Sequence, residues 1–334
     1  MAMQRTTALG IALLLASAAF MALGASVGST GFDSVLAIAR DPVAAQIVWE
    51  IRLPRTLGAW LAGGLLGLAG AVAQGLFRNP LADPFLLGSA SGASLGVASA
   101  MALFGVSPAA MVWLTRIGLT GAAFLGAMLA VLLTLQLARG VQHTLRLLLA
   151  GVIVGVVLGA GKDLVTLAAP DIVPAMLGFN LGSASFIGWS SCGLMAGVGA
   201  ACLLGAWAFS RALDGLTLGE ATAASLGLPL ARMRAALVAV LALATGTAVA
   251  QTGLIAFVGL AAPHLVRSLV KTTHARLVVL SLLMGALLLM AADILARWLI
   301  APQELPVGVL TAVLGGSYLL WLMHRRADAR RSVL

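Results

Sequence analysis

The residues of this sequence that could do chemistry are few, and their spacing suits neither metal binding nor catalysis. Cys192 and Cys202 share one apolar run at a spacing that is not typical of a metal site. The segment GAGKD (159–163) resembles a nucleotide-binding loop, but Val156 stands where the loop needs its first glycine, and Asp163 occupies its last position. The histidines fall near predicted helix ends, without a second ligand at helical spacing: His143, His264, His274 and His324. We therefore expect no metal, cofactor or ATP on this chain, and transport is favoured over catalysis.

The elements that carry these residues are apolar helices. The 334-residue chain is 61% hydrophobic and 9% charged, whereas about 25% of an average soluble domain is charged. A helix of roughly 20 apolar residues crosses a bilayer, and backbone polar groups in lipid must be paired. The sequence predicts about ten such helices, near 8–28, 56–77, 86–104, 117–138, 147–168, 189–209, 235–253, 255–270, 277–298 and 306–324. The run at 255–270 is the weakest, because it is short and Pro263 interrupts it.

The first run has two interpretations. Arg5, an apolar stretch and the residues ALGAS are typical of a cleaved signal peptide. Because the apolar stretch is long and heads a polytopic chain, we expect an uncleaved first helix instead.

The basic residues predict the orientation. With a cytoplasmic N-terminus and ten spans, most of the 20 Lys and Arg residues fall on the inner side, as the positive-inside rule requires. Both termini are then cytoplasmic. The net charge of +9 reflects topology, and we expect no nucleic-acid partner.

Small residues recur at every fourth position of several runs. One such stripe is Ala59, Gly63, Gly67, Ala71 and Gly75, and others follow Gly88, Gly151 and Gly193. Such a stripe lets a neighbouring helix approach closely. Tight packing within the chain is the favoured interpretation, and a subunit interface or the lining of a passage is the alternative.

The longest predicted cytoplasmic segment, 210–234, contains a candidate docking helix. Its residues LGEATAASLG have good helix formers, Glu220 in the first turn and Gly227 as a C-terminal cap, and Pro229 can begin the next helix. Such a helix can dock a partner, or it can be a plain amphipathic connector.

The turn RNPLADPFLLG (78–88) is more elaborate than a membrane hairpin requires. Two prolines, Pro80 and Pro84, fix φ near −65° and stiffen the reversal. A stiff turn can carry a constriction, or it can simply end two helices.

Four blocks of the sequence resemble the permease subunits of type II ATP-binding-cassette importers, the family that imports ferric siderophores, haem and cobalamin. They are RLPRTLGAWLAGGLLGLAGAVAQGLFRNPLADPFLLGSASGASLG (52–96), GEATAASLGL (219–228), GLIAFVGLAAPHLVR (253–267) and ADILARWLIAPQELPVGVLTAVLGGSYLLWL (292–322). They occur in the family's order and span most of the chain. Ser317 stands where the family usually has proline, and 176–190 follows the family's pattern only loosely.

The resemblance implies an all-α membrane protein with the type II importer permease fold, in which residues 1–334 form a single transmembrane domain. It also implies a bacterial inner (cytoplasmic) membrane location and a homodimer with a path between the two copies. The expected partners are two ATPase subunits, which bind ATP and Mg²⁺ and do the catalysis, a periplasmic substrate-binding protein and the lipid bilayer.

The resemblance also assigns residues to three sites. The ATPase-docking helix would use Glu220, Ser225, Leu226 and Gly227. The cytoplasmic gate would use Asn79, Pro80, Leu81, Thr144 and Leu145. Arg52, Arg55 and Arg297 would form a positive pocket on the outer face that receives carboxylates of the binding protein, with interfacial anchoring as the alternative.

A secondary transporter is the competing function class. Its mid-membrane acids would be Asp163 beside Lys162, or Asp293 one turn from Arg297. Both lie toward predicted outer ends, where a salt bridge or access to water is the simpler explanation. Among cargoes, an iron chelate or haem is favoured and cobalamin is the alternative.

Overall fold

The computed structural model describes residues 2–28, 31–32, 41–105, 113–137, 144–225, 227 and 229–331. These residues form helices and their connections, apart from one short hairpin. In this hairpin, the two-residue strands β1 (Val27–Gly28) and β2 (Gly31–Phe32) pair antiparallel. The helices are α1 Ala2–Ser26, α2 Pro42–Ile47, α3 Leu53–Leu76, α4 Ser89–Phe104, α5 Trp113–Leu137, α6 Thr144–Ala168, α7 Val173–Leu181, α8 Trp189–Ala208, α9 Ser210–Thr217, α10 Glu220–Ser225, α11 Leu230–Thr252, α12 Val258–Leu269, α13 His274–Trp298 and α14 Val307–Arg331. A π-helical turn, Val48–Arg52, joins α2 to α3, and 3₁₀ turns cover Pro84–Leu87 and Pro170–Ile172.

Each of the ten predicted apolar runs coincides with a helix. Within the described residues, seven stretches are long and apolar enough to cross a membrane, and the apolar helices Ser89–Phe104 and Val307–Trp321 are shorter. The second span is longer than predicted, because α2, the π turn and α3 form one continuous helix from Pro42 to Leu76. The sequence did not predict α7 or α9.

The weakest predicted run is a broken element. α12 has 12 residues, about 18 Å at 1.5 Å per residue, which is too short for a hydrocarbon core of about 30 Å. Pro263 lies inside this helix, and the break in the helical backbone comes before α12, at 253–257. The irregular backbone before α12 is paired with the α7 region: Leu254 N–H donates to the Phe179 carbonyl (2.9 Å), and Ser183 N–H donates to the Thr252 carbonyl (2.7 Å). These bonds satisfy the backbone groups that helix breaking exposes.

The core is built around α3, which packs against α8, α11, α12 and α13. Its small-residue stripe is the contact surface: a Cβ placed on Gly63 would lie 2.3 Å from the Gly285 carbonyl, and one on Gly67 would lie 2.2 Å from the Ser281 carbonyl. The packing interpretation is therefore confirmed for this stripe. By contrast, a Cβ on Gly159 or Gly197 would meet no described atom within 4 Å.

The first helix packs against one side of the bundle. α1 contacts α13 and α3, and Trp60 Nε1 of α3 donates to Ser17 Oγ of α1 at 3.1 Å.

Candidate functional site

The first turn of α3 and the last turns of α13 meet in a buried ion network. Arg55, in the first turn of α3, lies 3.1 Å from Asp293 Oδ1 through Nη2, and its Nη1 donates to Glu304 Oε2 at 2.8 Å. Arg297 Nη2 lies 2.7 Å from Asp293 Oδ2, one turn away on α13. The salt bridge predicted from the Asp293–Arg297 spacing is confirmed. Asp293 therefore sits between two guanidinium groups.

Arg297 holds three elements together. It is 1% exposed, and it donates to the carbonyls of Gly24 (3.2 Å) and Val27 (3.3 Å) and to Thr56 Oγ1 (3.0 Å). These bonds tie the end of α1 and the first turn of α3 to α13. Arginine suits this task, because its five N–H donors form a rigid fork.

Arg52 ends the π turn and is also buried. Its guanidinium donates to the Ser26 carbonyl at 3.3 Å, and it covers Gly28, where a Cβ would lie 2.5 Å from Nη2. A side chain at this position would therefore displace the Arg52 guanidinium. π-helical turns occur frequently at functional sites, and this one ends at Arg52, the first arginine of the RLPR segment.

The structure gathers the three predicted arginines at one cavity, and acidic side chains accompany them there. They line a cavity of about 410 Å³ together with Asp41 and Glu304, and Asp293 lies behind it. Buried cations are retained in proteins only when they are paired, so the acids offset the arginines. Sequence reasoning missed the role of Glu304, which also accepts from Ser185 Oγ at 3.2 Å.

The turn between α3 and α4 is held by side-chain caps. Arg78 adopts φ +49°, which is uncommon for a non-glycine residue. Asn79 Oδ1 accepts from Leu81 N–H (3.0 Å), and Asp83 Oδ1 accepts from Phe85 N–H (2.8 Å), where it caps the 3₁₀ turn. The Leu81 side chain is exposed. Burial raises the pKa of Asp83 to about 6, and the Phe85 N–H opposes this shift.

Neighbouring helices fix the end of this turn. Thr134 Oγ1 of α5 donates to the Leu87 carbonyl at 2.9 Å, and Ser89 Oγ donates to the Pro84 carbonyl. Gly88 has φ +75° and leaves room for the backbone of Gly155. Hydrogen bonds and packing therefore hold the turn in one conformation, as its two prolines suggest. Of the other predicted gate residues, Thr144 and Leu145 begin α6, and their side chains lie outside the described part of the chain.

The predicted docking helix is present as α10. Glu220 begins it, although its side chain is not among those described, and the exposed Ser225 ends it. Leu226 lies outside the described residues. Gly227 has φ +77° and Gly219 has φ +104°. Two glycines in left-handed conformations thus bound the helix, and the cap predicted at Gly227 is confirmed.

The described residues contain no cluster of three or more His, Cys, Asp or Glu side chains that could hold a metal ion. Both cysteines are buried and unpaired in disulfides. The segment 159–163 lies within α6 and so has no loop that could cradle a phosphate.

Comparison with known proteins points to one family. Residues 9–325 match the FecCD transport family. The chain is 38% identical over 290 residues to the hemin transport system permease protein HmuU of Yersinia pestis, covering 85% of each chain. It is 38% identical over 284 residues to the vitamin B12 import system permease protein BtuC of Escherichia coli O157:H7, again covering 85% of each.

Two solved structures have a similar fold. One is a metal-chelate type ABC transporter in an inward-facing conformation, with a TM-score of 0.83 and 28% identity, covering 96% of this chain and 99% of that one. The other is PsaBC from Streptococcus pneumoniae in complex with Fab, with a TM-score of 0.59, 19% identity and coverage of 86% and 92%. At that identity, the second similarity shows the fold alone.

Proposed function

The chain belongs to the FecCD transport family, and from this premise we propose that it forms the membrane passage of an ATP-binding-cassette importer for a bulky metal chelate. It is a multi-pass membrane permease of the type II fold. The observation that carries the proposal is the family match across residues 9–325, together with a helical bundle that superposes over nearly its whole length on a metal-chelate transporter.

The proposed cargo is a ferric siderophore or haem. Support comes from the relatives, one of which transports hemin and another vitamin B12, and from the metal-chelate transporter. Each of these cargoes holds a metal in a large organic frame. Cobalamin is therefore the alternative cargo of the same machinery.

The driving force is proposed to come from partner subunits. We place ATP and Mg²⁺ on two separate ATPase subunits and assign no catalysis to the permease. The N- and C-termini and α10 would face the cytoplasm, as the distribution of basic residues favours. Two copies of the permease would enclose the path between them.

The helix α10 is the proposed ATPase-docking element. It is short and bounded by left-handed glycines, and a Cβ on Gly219 or Gly227 would meet no described atom within 4 Å. Such a helix can fit a groove of a partner without disturbing the core.

The proposed gate is the turn that carries Asn79, Pro80 and Leu81, with Thr144 and Leu145 as its second segment. Cysteines at position 81 should crosslink between the two copies in one nucleotide state and not in another, and state-independent crosslinking would contradict a gate.

The outer cavity is the proposed docking point for a substrate-binding protein. Arg52 and Arg55 line it, with Arg297 as their support from α13. Because Glu304 is partly exposed and already pairs with Arg55, an arriving carboxylate would compete with it. Opposite charge speeds association, and salt screens it. Arg52→Glu should lower the association rate of the binding protein at low salt, and an unchanged rate would assign Arg52 to structure alone.

The experiment that tests the proposed cargo is uptake by the reconstituted complex. The permease, its ATPase and its binding protein are assembled in proteoliposomes, and haem, a ferric siderophore and cobalamin are offered separately. We expect ATP-dependent accumulation of an iron chelate, and none with an ATPase variant that binds but does not hydrolyse ATP. Accumulation of cobalamin alone would replace the cargo, and accumulation of none of the three would contradict the proposal.

A further inference from the structure

One carboxylate oxygen joins the cytoplasmic segment to the bundle. Asp214 Oδ1, on α9, accepts from the backbone N–H of His274 at 3.0 Å and lies 2.7 Å from His274 Nδ1. His274 is the first residue of α13 and is buried. A carboxylate at a helix N-terminus is favoured by the helix dipole and satisfies an unpaired N–H. Because a carboxylate can only accept, His274 Nδ1 carries the proton in this pair.

His274 and Leu213, the residue before Asp214, touch the end of α3. A Cβ on Gly75 would lie 3.0 Å from His274 Nε2 and 3.1 Å from Leu213 Cδ2 of α9. These distances mean that the imidazole and the leucine lie against the α3 backbone with no side chain between them. α3, α9 and α13 therefore meet at Gly75.

This last turn of α3 directly supports the gate turn. Arg78 N–H donates to the Gly75 carbonyl (3.3 Å), and Asn79 N–H donates to the Gln74 carbonyl (3.2 Å). The Gln74 side chain is also bound to α12: it donates to the Leu260 carbonyl (3.2 Å) and accepts from Arg267. A displacement of residues 74–75 must therefore move the backbone that bears Asn79.

α9 and α10 differ in how firmly they are held. α9 is anchored, because Ala212, Leu213 and Leu216 are buried against the bundle. α10 follows after Gly219, whose left-handed conformation and open surroundings allow the helix to be reoriented. A force on α10 would thus reach the bundle through α9. Asp214 of α9 makes a polar contact with His274 of the bundle.

We infer that the Asp214–His274 pair is the joint that transmits movement of the docking helix α10 to the gate turn at 77–83. This inference rests on the proposed function. Asp214 and His274 are positioning residues: neither touches cargo or nucleotide, and both act by holding α9 and α13 against Gly75. Loosening the pair should let the ATPase cycle while the gate responds poorly.

The test compares cargo imported per ATP hydrolysed in the full reconstituted complex. For Asp214→Ala and His274→Leu we expect a fall of about ten-fold, within the range of coupling between distant sites. His274→Asn should restore most of the ratio, because its amide nitrogen can occupy the position of Nδ1 and donate to Asp214. Lys271→Ala, an exposed change three residues before His274, is the matched control and should leave the ratio unchanged.

Thermal melting of each complex separates loss of coupling from loss of folding. Asp214→Asn keeps an acceptor oxygen of the same shape and provides a second variant if Asp214→Ala fails to assemble; it should give an intermediate ratio. Wild-type ratios in folded Asp214→Ala and His274→Leu complexes would overturn the inference, as would a changed cargo affinity with an unchanged ratio. If the wild-type complex imports nothing, the proposed function fails instead.

Discussion

The buried ion network between the first turn of α3 and the last turns of α13 predicts a large difference between two substitutions of the same chemical type. Asp293→Asn and Glu304→Gln each convert a carboxylate that pairs with Arg55 into an amide. The Asp293 side chain is 1% exposed, whereas the Glu304 side chain is 27% exposed. Asp293 also neutralises Arg297, which is buried and would keep only hydrogen bonds to neutral groups after the substitution.

The magnitudes follow from this burial. Removing one partner of a buried ion pair costs about 3–5 kcal/mol, because it leaves an uncompensated charge. A solvent-accessible ion pair contributes up to about 1 kcal/mol, and Glu304 lies closer to this limit. We therefore expect Asp293→Asn to cost about 2 kcal/mol more than Glu304→Gln.

Equilibrium unfolding in mixed micelles, followed by tryptophan fluorescence, measures this difference. Adding Arg297→Met to Asp293→Asn removes the uncompensated cation and should recover part of the loss; the recovery is incomplete because the Arg297 hydrogen bonds to Gly24, Val27 and Thr56 are also lost. If the two amide variants unfold at the same denaturant concentration, or if the second substitution brings no recovery, Asp293 does not act as a buried counter-charge.

Three further predictions concern the turn between α3 and α4, the core, and the proposed docking role of α10. Burial raises the pKa of Asp83 to about 6. The stability that the protonated Asp83 contributes is therefore present at low pH and is lost as the pH rises through that value. Asp83→Asn keeps the cap oxygen and should flatten the pH dependence of the melting temperature between pH 4 and 6. Gly70→Ala would place a Cβ 1.7 Å from the Gly259 carbonyl and should prevent normal assembly, judged by gel filtration, while Gly197→Ala, in open space, should be neutral. Gly227→Val replaces a residue at φ +77° by one that resists that conformation, so ATPase binding or transport should fall, and normal values of both would refute the role of this cap.

The helices were predictable because they depend on local patterns. Apolar runs located every long helix, the four-residue spacing of Asp293 and Arg297 gave their salt bridge, and the cap signal at Gly227 gave both α10 and its positive φ. The amphipathic α9 was missed because it is too short and polar to stand out as a span.

The contacts that the sequence did not predict join residues that are far apart in the chain. Arg55 and Glu304 are 249 residues apart in the chain, and Asp214 and His274 are 60 apart, so neither pair leaves a local pattern. The sequence also did not predict that the three arginines are buried, because residues at the end of a predicted helix are expected to be exposed. Only the packing of α1, α3 and α13 together shows that these guanidiniums are internal.

The most direct test of the importer assignment is the energy source for uptake. In proteoliposomes that contain the permease, its ATPase and its binding protein, an iron chelate should accumulate when ATP is supplied and both proton and sodium gradients are abolished by ionophores. Uptake should stop when ATP hydrolysis is blocked. Uptake that persists without ATP and requires an ion gradient would contradict this account and assign the chain to the secondary transporters.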